Sequence, residues 1–331
     1  MPSNKRRVYA LSLLNGSLDS RLAVRVLQSQ GIAVHGIVFE SPFCDVKGAR
    51  RAAEQLDVVL HIEDFSQNII AVLSQNQGVC PGEGGMCKDL HGRMIRRALT
   101  VMQDLDFDFV ATGEVLDQRE HVQSLTAFDA IELTQHCPGE VVRPLSGKRL
   151  SKTKAEGYGF VSRDGFLDLK GRGHKAQKSL AKEYNITDFP IPTGGCRLAD
   201  PTFRQRLQDL ITHGGLAGVP SLALLRYGRH FRLSPEMKVI VGRHEQDNHY
   251  LEGNAELYDL ILKVEKLPGP SALLPFSVEE HDLLRAAAIC ARYSDAPPQA
   301  DVTVKIRSST GTRRVVVKPA SPALVDSLRI G

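Results

Sequence analysis

The sequence predicts an α/β fold: a doubly wound, mostly parallel sheet followed by a smaller C-terminal α+β domain. Three observations predict it. Over the first hundred residues, apolar runs of strand length alternate with amphipathic segments of helical period. Such alternation closes through crossovers that leave neighbouring strands parallel. After about residue 140 the pattern gives way to a basic stretch broken by Gly and Pro, and a different spacing of short strands follows. A chain of 331 residues accommodates two domains of ordinary size.

The elements follow in order. Residues 8–14 are a continuous apolar run and read as a buried strand. Residues 19–30 read as a helix with Leu22, Val26 and Leu27 on one face and Gly31 just past its end. A second strand is expected over 32–39, a helix over 46–55, a third strand over 57–62 and a helix over 65–74. Residues 76–86, rich in Gly, read as loop. A helix over 90–105 leads to a strand over 107–112 that stops at Gly113. Sheets of this kind bind ligands at the carboxyl ends of their strands. A helix over 174–184, the Pro-rich segment 189–196 and a helix over 201–213 come next. Gly214-Gly215 then marks the expected boundary between domains 1–213 and 216–331. In the second domain, strands are expected around 229–233, 237–242, 301–306 and 313–317, with helices near 244–253 and 279–293.

Composition narrows the function classes. The chain is 42% hydrophobic and 24% charged, as folded proteins are. Polar residues interrupt every long apolar stretch, so neither a membrane span nor a membrane partner is expected. The apolar run after Arg6 and Arg7 passes directly into the turn Asn15-Gly16-Ser17. It reads as a strand rather than a secretory leader, and a cytoplasmic location is expected. Cysteines at 44, 80, 87, 137, 196 and 290 are too sparse for a disulfide scaffold. Net charge is only +4, but residues 143–182 hold eleven Lys or Arg against three acids. That excess suits a phosphate backbone; a solvated basic face is the plainer alternative.

The strongest local signal is Asn15-Gly16-Ser17-Leu18-Asp19-Ser20, between a strand and a helix. A small-residue turn at a helix N-terminus offers unpaired N–H groups and a positive dipole end to an anion. Ser20 adds a hydroxyl, and Asp19 is placed either to hold Mg²⁺ or to cap the helix. On spacing alone, an ordinary turn capped by Asp19 fits equally. The segment resembles the PP-loop of the ATP pyrophosphatases, whose pattern is Ser-Gly-Gly-x-Asp-Ser. Gly16, Asp19 and Ser20 match, whereas Asn15 and Ser17 stand where that pattern has Ser and Gly. The resemblance continues through Ala111-Thr112-Gly113-Glu114, Gln118-Arg119 and the Gly-Gly-Cys segment 192–201, and extends over roughly residues 7 to 213 in the same order. It is most similar to the tRNA thiouridine synthases of the 4-thiouridine and 2-thiouridine branch. The resemblance implies a fold of the adenine nucleotide α-hydrolase type and binding of ATP with Mg²⁺. Asn15, Gly16, Ser17, Asp19, Ser20, Thr112 and Gly113 would form the nucleotide site. The C-terminal segments His230-Phe231-Arg232-Leu233, Lys238–Arg243 and Ala291-Arg292-Tyr293-Ser294 resemble the RNA-binding domain of the NFACT ribosome-quality-control proteins.

The resemblance also implies a reaction. Oxide is a poor leaving group from the uridine carbonyl carbon, and adenylation by ATP converts it to AMP. A sulfur nucleophile then takes its place. The partners implied are tRNA and a sulfur donor, either a persulfide protein or sulfide. Cys87 and Cys196 are the candidate catalytic thiols: each is read in a Gly-rich loop before a helix, where the helix N-terminus favours the thiolate. A [4Fe-4S] cluster is the other delivery route that the resemblance implies. Its usual Cys-x-x-Cys is here Cys87-Lys88-Asp89-Leu90, so Cys80 would have to join Cys87 and Cys196 as a ligand. Two other readings stay open: a non-catalytic RNA-binding protein, which the departures at Asn15, Ser17 and Leu90 would allow, and an ATP pyrophosphatase acting on a small molecule. The sequence leaves the oligomeric state open.

Overall fold

In the computed structural model the chain divides into two compact units, Met1–Ala199 and Asp200–Gly331. The structure describes residues 6–75, 85–119, 121–189, 197–213, 219–255, 259–274 and 279–331. In the first unit, Tyr9–Leu13 (β1), Ala33–Glu40 (β2), Leu60–Asp64 (β3), Phe109–Ala111 (β4) and Val141–Val142 (β5) pair in parallel in the order β3-β2-β1-β4-β5. The helices are Leu18–Gln28 (α1), Lys47–Leu56 (α2), Ser66–Gln75 (α3), Gly85–Asp104 (α4), Leu125–Thr134 (α5), Lys154–Gly157 (α6) and Lys175–Glu183 (α7). This is the expected parallel α/β architecture.

Each early helix has a local reason. Ser17 caps α1, its Oγ accepting from the Ser20 N–H, while Asp19 in the first turn and Arg25 in the last complement the helix dipole. Val24 and Leu27 then bury against Ala10, Leu14 and Val34 of the sheet and against Ala52, Ala53 and Leu56 of α2. Asp57 ends α2 in the left-handed region at φ 54°, which delays β3 beyond its expected start. In the first unit β5, α5 and the one-turn α6 were not expected. β5 is only two residues long, and α5 leaves Leu125 and Leu133 exposed at 52% and 65%, so neither has a clean period.

A buried charge cluster ties β4, β5, α4 and α5 together. Glu114, just past β4, accepts from Arg143 Nε at 2.9 Å and lies 2.9 Å from His91 Nε2 on α4. Arg143 Nη1 also donates to Glu132 on α5 at 2.5 Å, and its guanidinium lies 4.0 Å from the centroid of the Phe128 ring. Burial opposes the charge on Glu114, but His91 and Arg143 overcome it and draw its pKa down to about 2.

The second unit contains Pro201–His213 (α8), Val219–Leu224 (α9), Arg229–Arg232 (β6), Lys238–Val241 (β7), Glu245–Gly253 (α10), Leu260–Val264 (β8), Ser271–Leu274 (β9), Glu280–Arg292 (α11), Val302–Ser308 (β10), Gly311–Val317 (β11), Pro322–Leu328 (α12) and Arg329–Ile330 (β12). Its seven strands form one antiparallel sheet in the order β11-β10-β8-β9-β7-β6-β12. Leu283, Ala286, Ala287 and Cys290 of α11 pack on Val302, Val304 and Ile306 of β10. Helix α8, expected at the end of the first domain, groups with the second unit. Asp209 of α8 accepts from Arg232 Nη2 at 2.6 Å and from Lys238 Nζ at 2.9 Å, and Arg206 of the same helix donates to the Leu225 carbonyl at 3.1 Å. Among the described residues no helix is long and apolar enough to cross a membrane.

Two outcomes follow from this packing. Residues 200–331 expressed alone should melt cooperatively, whereas 216–331 should not. Loss of Asp209 strands two largely buried cations, at a cost of about 3–5 kcal/mol. Equal melting temperatures for the two fragments would contradict this. Glu114→Gln should lower the thermal stability of the full chain at pH 7. Because the folded pKa of Glu114 is depressed, its contribution is complete above about pH 4.5 and is lost as pH falls towards about 2. The gap between wild type and Glu114→Gln, on the order of 3 kcal/mol at neutral pH, should therefore close over that window. A gap that stays constant down to pH 2 would contradict the assignment.

Candidate functional site

The strand order reverses between β1 and β4, since β2 and β3 lie to one side of β1 and β4 and β5 to the other. The carboxyl ends of β1 and β4 therefore border the crevice where open α/β sheets take ligands. The chain leaving β1 supplies Asn15, Gly16 and Ser17, then the first turn of α1. The chain leaving β4 supplies Thr112, Gly113 and, further on, Gln118. The structure thus brings the residues of the expected nucleotide site to one edge of the sheet.

Backbone-to-backbone contact shapes this edge. Gly16 has φ +88°, and a Cβ on it would lie 2.3 Å from the Gly48 carbonyl carbon at the start of α2. A Cβ on Gly113 would lie 2.6 Å from the Ser20 backbone nitrogen. Both positions need glycine for close approach. Ser17 does not: its φ of −66° and ψ of 159° suit any residue, so its departure from the glycine pattern adds no backbone strain. Asn15 is exposed, and its Oδ1 accepts from the Ser17 N–H at 3.0 Å, closing the turn. In the first turn of α1 the Ser20 N–H donates to Ser17 Oγ, whereas those of Leu18 and Asp19 have no acceptor in the helix. Together they form a cradle suited to phosphate oxygens.

Asp19 sits at the mouth of the cradle. Its Oδ2 accepts from Gln118 Nε2 at 2.8 Å. Its Oδ1 is buried with no hydrogen-bond partner among the described residues, although Gln177 of α7 approaches the carboxylate. Burial raises the pKa of Asp19, while Gln118, His174 and Arg119 pull the other way. A buried carboxylate oxygen without a donor is what a divalent cation would satisfy, so the site fits Mg²⁺ accompanying a phosphate ligand. Ser20 is buried, and its hydroxyl donates to the Ser17 carbonyl at 2.9 Å. Thr112 is also buried, and its hydroxyl donates to Glu114 at 2.9 Å.

Sequence reasoning missed the residues that brace the turn. Arg21 had no part in the expected site, yet it is 1% exposed. Its Nε donates to the Gly16 carbonyl at 3.1 Å and its Nη1 to Gln55 Oε1 at 2.6 Å. Burial lowers its pKa. Gly48 was also missed; the signal for it was a glycine at the start of a helix.

Of the sulfur-handling candidates, Cys80 and Cys196 lie outside the described residues. Cys87 is exposed, but it lies within the first turn of α4 rather than in a loop ahead of it. Leu90, one turn later, is buried in the core. Among the described residues no group of three or more His, Cys, Asp or Glu is arranged to hold a metal ion. The Arg197 N–H donates to the Phe43 carbonyl at 3.0 Å, which ties the end of the Gly-Gly-Cys segment to the turn after β2 that carries Cys44. Cys137 and Cys290 are buried, and burial pushes their thiols up to about 11 and about 12. The basic stretch 143–182 is less basic at its surface than its count implies. Arg143 is buried, while Arg149, Lys154, Arg163 and Lys170 each pair with an acid. The exposed lysines that stand out are Lys175, Lys178 and Lys182, at helical spacing along α7. Gln177 and Ala181, on the other side of α7, are buried.

Residues 228–328 match the family model of the NFACT protein RNA binding domain. No curated protein matches the chain. Among solved structures, a predicted subunit of tRNA methyltransferase from Methanocaldococcus jannaschii is 18% identical, with 53% of this chain and 75% of that chain covered and a TM-score of 0.37. A 4-thiouridine synthetase in complex with RNA and ATP is 19% identical, with 66% of this chain covered and a TM-score of 0.38. This chain spans 52% of that protein's length. The C-terminal part of the fibronectin/fibrinogen-binding protein of Streptococcus suis is 11% identical, with 80% of this chain and 97% of that chain covered and a TM-score of 0.30.

Proposed function

We propose that this protein binds MgATP at the turn 15–20 and uses it on tRNA, exchanging the carbonyl oxygen of a uridine for sulfur. The observation that carries the reading is the cradle at the switch point, where Gly16 and Gly113 admit the close approach of two loops beside an unpartnered Asp19 oxygen. The match of residues 228–328 to an RNA-binding family supports RNA as the partner. The names of the neighbours, one a 4-thiouridine synthetase, suggest the same class of chemistry.

ATP supplies the adenylyl group that turns a poor leaving oxygen into AMP. The residues then have separable tasks. The first turn of α1 and the Gly16 turn bind the pyrophosphate portion, and their fixed N–H dipoles favour the charge that develops as it leaves. Asp19 holds the cation against those phosphates. Gln118 orients Asp19 through its hydrogen bond. The lysines along α7 face the polynucleotide, while Gln177 on the same helix reaches the ATP site. Cys87 and Cys196 are the proposed sulfur carriers. In a persulfide route, the terminal sulfur of one attacks the uridine carbon, and AMP leaves with the former carbonyl oxygen. The second thiolate then attacks the carrier sulfur, forming a disulfide and freeing the thiouridine; an external thiol resets the pair. An iron–sulfur cluster on Cys80, Cys87 and Cys196 is the other proposed route.

The reading is tested with purified protein, tRNA and MgATP. tRNA should stimulate ATP–pyrophosphate exchange, and Asp19→Ala should reduce that exchange by about a hundredfold or more. Cys87→Ser should keep the exchange yet yield no thiouridine by nucleoside mass spectrometry. Lys175→Glu with Lys178→Glu should weaken tRNA binding and flatten its salt dependence by about two. Full thiolation in a Cys87→Ser, Cys196→Ser double variant, or exchange indifferent to Asp19→Ala, would contradict the reading.

A further inference from the structure

The pairing register of the seven-stranded sheet sets cations side by side. Lys305 on β10 is directly opposite Lys263 on β8 and directly opposite Arg314 on β11. Arg307, two residues further along β10, projects from the same face. The alternation identifies that face: Val302, Val304 and Ile306 are buried with α11, whereas Lys305 and Arg307 are exposed. Helix α10 covers this outer face only as far as β8, through Leu251 against Ile240, Leu273 and Ile261. Beyond it, Thr312, Arg314 and Val316 of β11 are exposed as well.

Like charges directly opposite each other destabilise a sheet, so the row needs a reason. Charges on edge strands block edge-to-edge association, which accounts for Arg314 on β11. It does not account for Lys263 and Lys305, because β8 and β10 are paired on both sides. The nearby acids do not cancel the row. Glu252 lies 2.6 Å from Lys263 Nζ, and Glu265 lies 2.8 Å from Arg314 Nε. Both cations are about half-exposed, in pairs of the kind that open at little cost. Lys305 and Arg307 form no direct ion pair among the described residues, although Arg307 lies near enough to Glu252 to favour its charged form, so one acid faces two cations of the row.

We infer that this row is a contact surface for the phosphate backbone of duplex RNA, an inference that rests on the RNA reading of the second unit. Three neighbouring strands spread the row over about 10 Å, wide enough to meet more than one phosphate of a backbone. The face also excludes the main alternative within nucleic acids. Thr303, Lys305, Arg307, Thr312, Arg314 and Val316 include no aromatic ring on which an unpaired base could stack. The contact is therefore with the backbone and independent of base sequence.

The test uses the full chain and two RNA hairpins of unrelated sequence, with binding followed by fluorescence anisotropy from 50 to 200 mM salt, a span of roughly the kind over which such contacts weaken steeply. Lys305→Glu with Arg307→Glu should weaken binding to both hairpins at least about tenfold and flatten the salt slope by about two. Arg313→Gln removes a cation that pairs with Glu280 beside α11, and should leave binding within about twofold. The milder Lys305→Gln should raise the melting temperature slightly while weakening RNA binding, because it relieves the like-charge row. If wild type binds the hairpins and the double variant binds them equally well, with the same slope, the inference fails while the RNA reading stands. If wild type binds neither hairpin, the RNA reading itself fails. Binding of wild type to vesicles containing phosphatidylserine, lost in the double variant while hairpin binding is kept, would assign the row to a membrane and overturn the inference.

Discussion

The first unit depends on one constraint: two loops at the ends of adjacent parallel strands approach with no side chain between them and the helices they meet. Gly16 meets the start of α2, and Gly113 meets the first turn of α1. Any Cβ at either place would fall within ordinary contact distance of backbone, which cannot yield as a flexible side chain can. This contact sets the turn of residues 15–17 over the N-terminus of α1 and leaves Asp19 facing the chain that leaves β4. The Gln118 bond to Asp19, the Arg21 bond to the Gly16 carbonyl and the Glu114 bond to Thr112 all presuppose it.

Around that contact, buried charge does what a larger apolar core would do elsewhere. Arg21 and Arg143 are nearly inaccessible, and each is held by oxygens from more than one element. Such arrangements add little net stability compared with apolar packing, but they fail badly when one partner is removed, and so specify a single geometry. In the second unit Asp209 plays the same part between Arg232 and Lys238. The outer row at Lys305 contrasts with these clusters: its cations are exposed, share one sign and face solvent.

Much of this was legible in the sequence because it is local. The strand–turn–helix at residues 8–28 follows from an apolar run and small residues at a helix start; only the cap differs, since α1 begins at Leu18 and is capped by Ser17, which leaves Asp19, the expected cap, inside the first turn. What was not legible depends on partners distant in sequence. Arg21 and Arg143 look like surface cations until Gln55, Glu114 and Glu132 are brought to them. Ser17 looks costly at a glycine position until its extended backbone is seen. Helix α8 looked like part of the first domain because glycines follow it, but its acid belongs to strands β6 and β7. The opposed cations at 263, 305 and 314 become neighbours only through strand register. Strands β8 and β9 and the short β5 carried too little period to be expected.

The central claim is that the glycine contact at residue 16 shapes a phosphate cradle, and calorimetric titration with MgATP of two single-glycine variants tests it most directly. Gly16 and Gly31 both have positive φ, at +88° and +79°, so alanine at either pays a left-handed backbone cost of about 1 kcal/mol. Only Gly16 has backbone within 4 Å of the added Cβ; Gly31 has open space. Gly31→Ala should bind MgATP like wild type, whereas Gly16→Ala, while still folded, should lose at least about tenfold in affinity. A folded Gly16→Ala protein that binds MgATP as tightly as wild type, or a wild type that binds none, would contradict the account.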